Sequence, residues 1–224
     1  MNAKLLAAKK AISYVKDGMS VGLGTGSTAK EAIIELGKQV AQGLSIRALA
    51  SSIASEELAR SVGIPIATFL EVEKLDVYID GADEADKNLN LIKGGGGALL
   101  REKILAYNSH AFIVIIDETK LVDQLGRFKL PVEVVPFGVN FTMKRLKMLG
   151  CSASIRQKNL VNYQTDNGNL IIDCDFGQIK NIENTSLLID AIPGVVEHGL
   201  FSCAMVSKVI VGYENGTVKE FEKQ

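Results

Sequence analysis

Three polar, glycine-marked segments carry the residue types that bind anions and move protons. They are Gly22–Thr28, Asp80–Glu84 and Lys93–Gly97, the last of which is followed by Glu102. Each segment follows a predicted strand or opens a predicted helix. In an open α/β sheet such positions meet at the carboxyl ends of the strands, where ligands bind, so we expect the three segments to lie together.

The first segment, Gly22–Thr28, reads Gly-Leu-Gly-Thr-Gly-Ser-Thr. Its glycines let backbone N–H groups approach an anion at the positive end of a helix, and Ser27 and Thr28 add hydroxyl donors. It is not a Walker loop, because no lysine follows. A relaxed dinucleotide pattern fits, but Ser51 and Ser52 stand where that pattern needs an acidic residue. A tight turn with a Ser or Thr helix cap is the structural alternative.

The second segment, Asp80–Glu84, reads Asp-Gly-Ala-Asp-Glu and follows a strand directly. Carboxylates at this edge can accept hydrogen bonds from sugar hydroxyls or shuttle protons. They could instead hold a hard cation such as magnesium, which prefers oxygen ligands. A solvated acidic turn is the third interpretation, and the segment alone does not choose among the three.

The third segment, Lys93–Gly97, contains four successive glycines. Such a run loses much chain entropy on folding, so close approach of backbone amides to a negative oxygen is the simplest reason for it. Lys93 would add a positive charge, and Glu102 on the following helix is a candidate base. Periodicity does not decide whether Arg101, Glu102 or Lys103 points inward, because apolar residues surround all three.

Alternating helices and strands position these segments. The pattern predicts strands at Ser20–Leu23, Leu75–Asp80 and Ala111–Ile116, with a helix at Gly97–Asn108 before the last of them. Strands separated by helices of this length imply right-handed crossovers. The sequence therefore predicts an α/β fold with a Rossmann-like, mostly parallel sheet and helices on both faces.

After Asp123 the pattern becomes that of a smaller α+β domain, with a helix at Val139–Met148 among short strands. The last apolar strand, Lys208–Tyr213, is similar to the earlier strands and is expected to return to the main sheet. We therefore predict a main catalytic domain of residues 1–127 and 200–224 and a smaller domain of residues 128–199.

Composition narrows the class of protein. The 224 residues include 25 Lys and Arg against 26 Asp and Glu, scattered without blocks, so nothing indicates nucleic acid or a membrane surface as a partner. No apolar run approaches the roughly 18 residues of a membrane span, and no signal peptide is apparent. Cys151, Cys174 and Cys203 form neither a disulfide framework nor a zinc motif. A cytoplasmic protein with its thiols in the core is expected.

Together, the sequences GLGTGST, DGADE and KGGGGALLREKI at residues 22–28, 80–84 and 93–104 resemble the ribose-5-phosphate isomerase A family. The resemblance extends to Asp117–Lys120 and Pro193–Phe201. It implies aldose–ketose isomerisation of ribose 5-phosphate and ribulose 5-phosphate, a step of the non-oxidative pentose phosphate pathway. It also implies no metal or organic cofactor, and a homodimer or homotetramer.

Carried over by position, the resemblance implies that Glu102 is the proton acceptor, a role that favours a carboxylate with its pKa raised toward about 6 to 7. Isomerisation through an enediolate also requires ring opening, which Asp80 or Asp83 could assist without the sequence deciding which, and a positive charge facing the developing oxyanion, which Lys93 would supply. His198 is expected to serve packing or a turn instead. The residues implied to bind substrate are Thr25, Gly26, Ser27, Thr28, Asp80, Gly81, Ala82, Asp83, Lys93, Gly94, Gly95, Gly96 and Lys120.

Two rival functions fit the same fold. One is another phosphosugar enzyme, such as an amino-sugar phosphate isomerase or deaminase, which can use similar phosphate turns. The other is a sugar-phosphate sensor of the kind found in transcription regulators, which needs a DNA-binding partner domain. The sensor interpretation leaves Glu102 and the lysines without a role.

Overall fold

The computed structural model describes residues 2–223. Within this range the α-helices are α1 (Ala3–Ile12), α2 (Ser27–Ala41), α3 (Ile53–Ser61), α4 (Leu99–Tyr107), α5 (Val139–Met148) and α6 (Ile182–Asp190). The strands are β1 (Ser20–Leu23), β2 (Arg47–Ala50), β3 (Leu75–Gly81), β4 (Glu84–Asp86), β5 (Leu91–Ile92), β6 (Ser109–Asp117), β7 (Leu121–Val122), β8 (Leu130–Val134), β9 (Ser152–Ile155), β10 (Gln157–Lys158), β11 (Val161–Asn162), β12 (Leu170–Asp175), β13 (Val195–His198), β14 (Leu200–Phe201), β15 (Lys208–Gly212) and β16 (Val218–Glu222).

The main sheet has six strands in the order β16-β15-β6-β3-β1-β2. All neighbours pair in parallel except β15 and β16, which form an antiparallel hairpin at one edge. Strand β15 returns to this sheet beside β6, with Ile210 opposite Ile115, as the sequence predicted. The α/β fold with a mostly parallel sheet is therefore confirmed.

Helices cover both faces of the main sheet because side chains of alternate strand residues point to opposite faces. Val77 and Ile79 of β3 pack with α1 and α2 on one face. Tyr78 of the same strand packs on the other face, where Leu105 of α4 lies. Burying each large aliphatic side chain contributes about 1.5–3 kcal/mol, so both layers hold the strand ends rigidly in place.

A second, antiparallel sheet has the order β13-β8-β12-β9. Its strands and the helices α5 and α6 follow one another as β-α-β-β-α-β, the split βαβ arrangement. Leu146 of α5 and Ile189 of α6 join the same apolar core on one face of this sheet. The sheet matches the predicted smaller α+β unit, whereas the division at residues 127 and 200 stays a prediction.

A third sheet of short strands, in the order β14-β5-β4-β7, connects the other two sheets. Glu84 of β4 is buried there and accepts hydrogen bonds from the backbone N–H groups of Gly126 (2.8 Å) and Phe128 (2.7 Å). The third carboxylate of the Asp80–Glu84 segment therefore holds a loop and lies away from the other two.

Two further sequence expectations concern thiols and membranes. Cys151 and Cys174 are unpaired and buried in the core of the second sheet, while Cys203 is partly exposed. Among the helices of residues 2–223, none combines the length and the apolar character that crossing a bilayer requires.

Candidate active site

The turn at Gly22–Thr28 leads from β1 into α2. A Cβ atom on Gly24 would overlap the carboxylate of Asp80, which explains why this position is glycine. Helix α2 has Gly26 as its N-cap, at φ +107°, and no side chain caps it. The expected alternative of a Ser or Thr cap is therefore not found, and the first-turn amides of α2 stay open to an anion.

Thr25 joins this turn to the rest of the site. Its backbone N–H donates to Asp80 Oδ1 at 2.9 Å. Its hydroxyl lies 2.7 Å from that of Ser51 and 2.9 Å from that of Ser52, both at the end of β2. These serines stand where a dinucleotide fold has its acidic residue, and here they hold the turn in place.

Asp80, Lys93 and Glu102 form a buried charged triad. Lys93 Nζ lies 2.7 Å from Asp80 Oδ2 and 3.3 Å from Glu102 Oε2, and the lysine and both acids are at most 3% exposed. Asp80 also accepts hydrogen bonds from the Tyr78 hydroxyl (2.5 Å) and the N–H of Gly81 (2.7 Å). With both oxygens satisfied, Asp80 fixes Lys93 and leaves Glu102 less constrained.

Glu102 differs from Asp80 in its hydrogen bonding. Its Oε2 is buried and makes no hydrogen bond among residues 2–223, and the Lys93 ammonium 3.3 Å away is its ion-pair partner. Burial raises the pKa of Glu102 to about 8; Lys93 opposes this rise, and the charges of Asp80 and Asp83 add to it. Such a carboxyl can take up and release a proton near neutral pH.

The pKa of Lys93 is raised, whereas the pKa of an isolated buried amine is lowered. Burial alone would lower it, but the Asp80 and Glu102 carboxylates raise it above its usual value. Lys93 therefore stays charged at physiological pH. Its Nζ also donates to the Gly81 carbonyl at 2.5 Å, which holds the ammonium in one place.

The neighbours of Glu102 on α4 show why it alone points inward. Arg101 Nη2 donates to the carbonyl of Asp166 at 2.9 Å, in the turn before β12. Lys103 Nζ donates to Glu197 Oε1 at 2.6 Å, in β13. Both flanking charges bind the second sheet, which resolves the choice that periodicity left open.

The glycine segment forms a tight loop before α4. Gly94 and Gly97 have positive φ values of 101° and 82°, and the N–H of Gly97 donates to the carbonyl of Gly94 at 3.0 Å. The N–H of Gly95 donates to Asp83 Oδ2 at 2.7 Å. The N–H of Gly96 has no acceptor among the described residues. The loop thus offers backbone donors, as the glycine run predicted.

A cavity of about 150 Å³ collects these groups. Its lining consists of Lys4, Thr25, Gly26, Ser27, Thr28, Gly81, Ala82, Asp83, Lys93, Gly94, Gly95, Gly96, Glu102 and Lys120. Every residue that the resemblance assigned to substrate binding lines it except Asp80, which is fully buried behind Lys93. Asp83 does reach the cavity, and burial raises its pKa.

Lys4 is the cavity residue that sequence reasoning missed. It projects from α1, and its Nζ donates to the Ser27 hydroxyl at 2.9 Å. Lys120 approaches from the single-turn helix after β6, with its Nζ 5.9 Å from the centre of the Phe128 ring. The signal for Lys4 was weak, because it lies on an ordinary helix, 18 residues before Gly22, where the first motif begins.

His198 lies outside the cavity. Its Nδ1 accepts the N–H of Leu200 at 3.1 Å, and its Nε2 faces Asp190 Oδ1 at 3.3 Å. Burial lowers the pKa of His198 to about 3, and the charge of Lys103 adds to this, so the imidazole is neutral. The expected packing role fits this geometry better than a catalytic one.

Among residues 2–223, one cluster has side chains close enough to share a metal ion: Asp190, Glu197 and His198. The ammonium of Lys103 already binds Glu197 there. Asp80, which lies behind the cavity wall, already accepts four hydrogen bonds and is therefore unsuited to bind a magnesium ion.

Comparison with known proteins gives consistent matches. The family described as ribose 5-phosphate isomerase A (phosphoriboisomerase A) matches residues 47–216. The chain is 50% identical over 222 residues to the ribose-5-phosphate isomerase A of Bacillus mycoides (strain KBAB4), covering 99% of this chain and all of the relative.

Solved structures agree. A D-ribose-5-phosphate isomerase in complex with phospho-erythronic acid is 41% identical with a TM-score of 0.95, covering 100% of both chains. The ribose 5-phosphate isomerase A of Methanocaldococcus jannaschii is 43% identical with a TM-score of 0.93, covering 99% of both chains.

Proposed function

Because this chain belongs to the ribose 5-phosphate isomerase A family, we propose that Glu102 carries the proton between C2 and C1 of its substrate. The protein is an aldose–ketose isomerase that interconverts D-ribose 5-phosphate and D-ribulose 5-phosphate, a step of the pentose phosphate pathway. Such an enzyme must open the sugar ring, move one proton and stabilise an enediolate. The residues of the cavity divide these three tasks among them.

The observation that carries the proposal is the state of Glu102. Buried polar atoms are normally hydrogen-bonded, so a buried Glu102 oxygen that makes no hydrogen bond within residues 2–223, in the wall of a polar cavity, supports a role toward a ligand. General bases of this kind contribute typically about 10²- to 10⁴-fold in rate. Since its pKa is about 8, kcat/KM should rise about tenfold per pH unit below that value and level off above it.

Lys93 and the glycine loop serve the enediolate. The Lys93 ammonium stays charged next to Glu102, and Gly96, whose N–H has no acceptor in the part of the chain that the structure describes, lies in the same wall. Donors fixed in advance around a developing oxyanion lower its energy without reorganising, and losing one typically costs about 10²- to 10³-fold in rate.

Asp83 is the better candidate for ring opening. Asp80 has no exposed surface, and both its oxygens are occupied, so its role is to hold Lys93. Asp83 lines the cavity, and its raised pKa favours a carboxyl that can protonate the ring oxygen. This assigns separate roles to two aspartates that the sequence treated alike.

The phosphate binds at the other end of the cavity. Ser27, Thr28 and the uncapped N-terminus of α2 supply neutral donors and a partial positive charge. Lys4, whose Nζ donates to the Ser27 hydroxyl, adds a formal positive charge at this end, and Lys120 adds a second one to the cavity wall. A doubly charged phosphate group matches this set of donors.

A homodimer or homotetramer in the cytoplasm is the proposed setting. Phe137 and Phe141, next to and on α5, are 93% and 80% exposed, which supports burial against a second copy of the chain. Light scattering on purified protein measures the assembly directly, and a monomer at micromolar concentration would contradict the proposal.

The experiment follows ribulose 5-phosphate formation from ribose 5-phosphate in excess EDTA. Wild type should be active and Glu102→Gln inactive, while the variant still binds phospho-erythronic acid. Glu57→Gln makes the same chemical change at an exposed position of α3 and should match wild type. Near-normal turnover by Glu102→Gln would remove Glu102 as the base. Activity on an amino-sugar phosphate instead of ribose 5-phosphate would favour the other phosphosugar enzymes.

A further inference from the structure

Arg156, directly after β9, reaches from the second sheet to the glycine loop. Its Nη1 donates to the carbonyls of Gly94 (2.8 Å) and Gly95 (3.1 Å). Its Nε and Nη2 bind the two carboxylate oxygens of Asp173 at 3.0 and 2.5 Å. The Arg156 side chain is 15% exposed, and hydrogen bonds hold its guanidinium on both the glycine-loop side and the Asp173 side.

These contacts determine where two backbone amides point. Every peptide bond in the described chain is trans, so each N–H points away from the carbonyl of its own peptide unit. The carbonyls of Gly94 and Gly95 face Arg156, and the N–H groups of Gly95 and Gly96 therefore point away from it. The N–H of Gly95 donates to Asp83, and that of Gly96 has no acceptor within residues 2–223.

We propose that Arg156, braced by Asp173, is a positioning residue that aims the Gly96 N–H at the enediolate oxygen. A cation on the carbonyl side of a peptide also polarises its N–H, which makes that donor stronger. Arg156 acts through the glycine loop and does not line the cavity. The inference rests on the proposed role of the loop amides as oxyanion donors.

The simpler interpretation is that Arg156 only fastens the second sheet to the main sheet. Arg101 makes a comparable connection, from α4 to Asp166 and Asn167, without contacting a glycine of the loop. An Arg101→Met variant therefore removes a link between the same two parts of the chain and leaves the carbonyls of Gly94 and Gly95 bound. It is the matched control.

The test compares Arg156→Met with Arg101→Met. The Arg156 variant should lose about 10²-fold in kcat, while its KM for ribose 5-phosphate stays within about threefold of wild type. Its inhibition constant for phospho-erythronic acid, whose planar carboxylate resembles an enediolate, should weaken about tenfold or more. Arg101→Met should keep both kcat and inhibitor affinity within about threefold of wild type, whatever its melting temperature.

Two further variants keep the test decisive. Arg156→Lys keeps a charge but loses the fork, so it should regain only part of the kcat. Asp173→Asn should lower kcat in the same direction as Arg156→Met, because the brace is weakened. A folded Arg156→Met or Arg156→Lys protein with kcat and inhibitor affinity equal to those of wild type overturns the inference.

Failure of the inference and failure of the proposed function give different results. If Lys93→Met lowers kcat and inhibitor affinity but Arg156→Met does not, only the positioning role is lost. If neither variant changes kcat, the wall formed by Lys93 and the glycine loop does not stabilise the enediolate, and the proposed mechanism fails with it.

Discussion

Replacing Glu102 with glutamine should stabilise the folded protein as well as remove its base. In the unfolded chain this carboxyl ionises near pH 4.5, whereas in the folded protein its pKa is about 8. Between these values the folded state holds a proton that the unfolded state has released. The free energy of unfolding of wild type therefore falls as pH rises through this window.

The magnitude follows from the same two values. At about 1.4 kcal/mol per pH unit, a rise in pKa from 4.5 to about 8 corresponds to about 5 kcal/mol. Glutamine resembles the protonated carboxyl and does not ionise, so its variant avoids this loss. The stability difference in favour of Glu102→Gln should grow from about pH 5 to pH 8 and stay constant above it.

Urea unfolding followed by circular dichroism from pH 4 to pH 9 measures this difference, because all other titrating groups are common to both proteins. The control Glu57→Gln should stay within about 0.5 kcal/mol of wild type at each pH. A difference that is constant across the range would show that Glu102 ionises alike in both states. A difference in the free energy of unfolding that favours wild type at high pH would show that the ion pair between Glu102 and Lys93 is stabilising.

The remaining predictions concern catalysis. Lys93→Met should lower kcat by about 10²- to 10³-fold. It should also shift the rise of kcat/KM with pH to higher pH, because Lys93 lowers the pKa of Glu102. A kcat/KM profile that rises at the same pH as that of wild type contradicts this. Asp83→Asn should shift the rise of kcat/KM to lower pH, because the charge of Asp83 raises the pKa of Glu102. The measurement is again the pH profile of kcat/KM. Lys4→Met should raise KM for ribose 5-phosphate about tenfold with kcat within about twofold in steady-state kinetics, as for a lost phosphate contact. A fall in kcat alone would reject that role.

Elements with strong periodicity or clear bounds were predictable from sequence. Strand Ser20–Leu23 lies between two glycines, and helix Val139–Met148 buries one face, and both have the predicted bounds. The short strands Leu91–Ile92 and Leu200–Phe201 were missed. A strand of two residues is too short to show an alternating apolar pattern, and these strands form only because distant parts of the chain bring them together.

The composition of the site was more accessible to sequence than its geometry. Glycine loops and carboxylates at strand ends predicted which segments would meet. Sequence could not separate Asp80 from Asp83, because burial behind Lys93 depends on the packing of β3. Arg156 gave no signal either, since its role depends on contacts across more than 60 residues of chain.

The triad of Asp80, Lys93 and Glu102 lies within residues 80–102, whereas the hydrogen bond from Thr25 to Asp80 closes a loop of 55 residues. Closing a long loop costs more chain entropy than forming a local contact, and it is therefore slower. During refolding, the charged residues should therefore gather first, and the phosphate end of the cavity should complete later, when β1 pairs with β3. Recovered turnover then reports the pairing of β1 with β3, and helix signals alone overstate how much enzyme has regained activity.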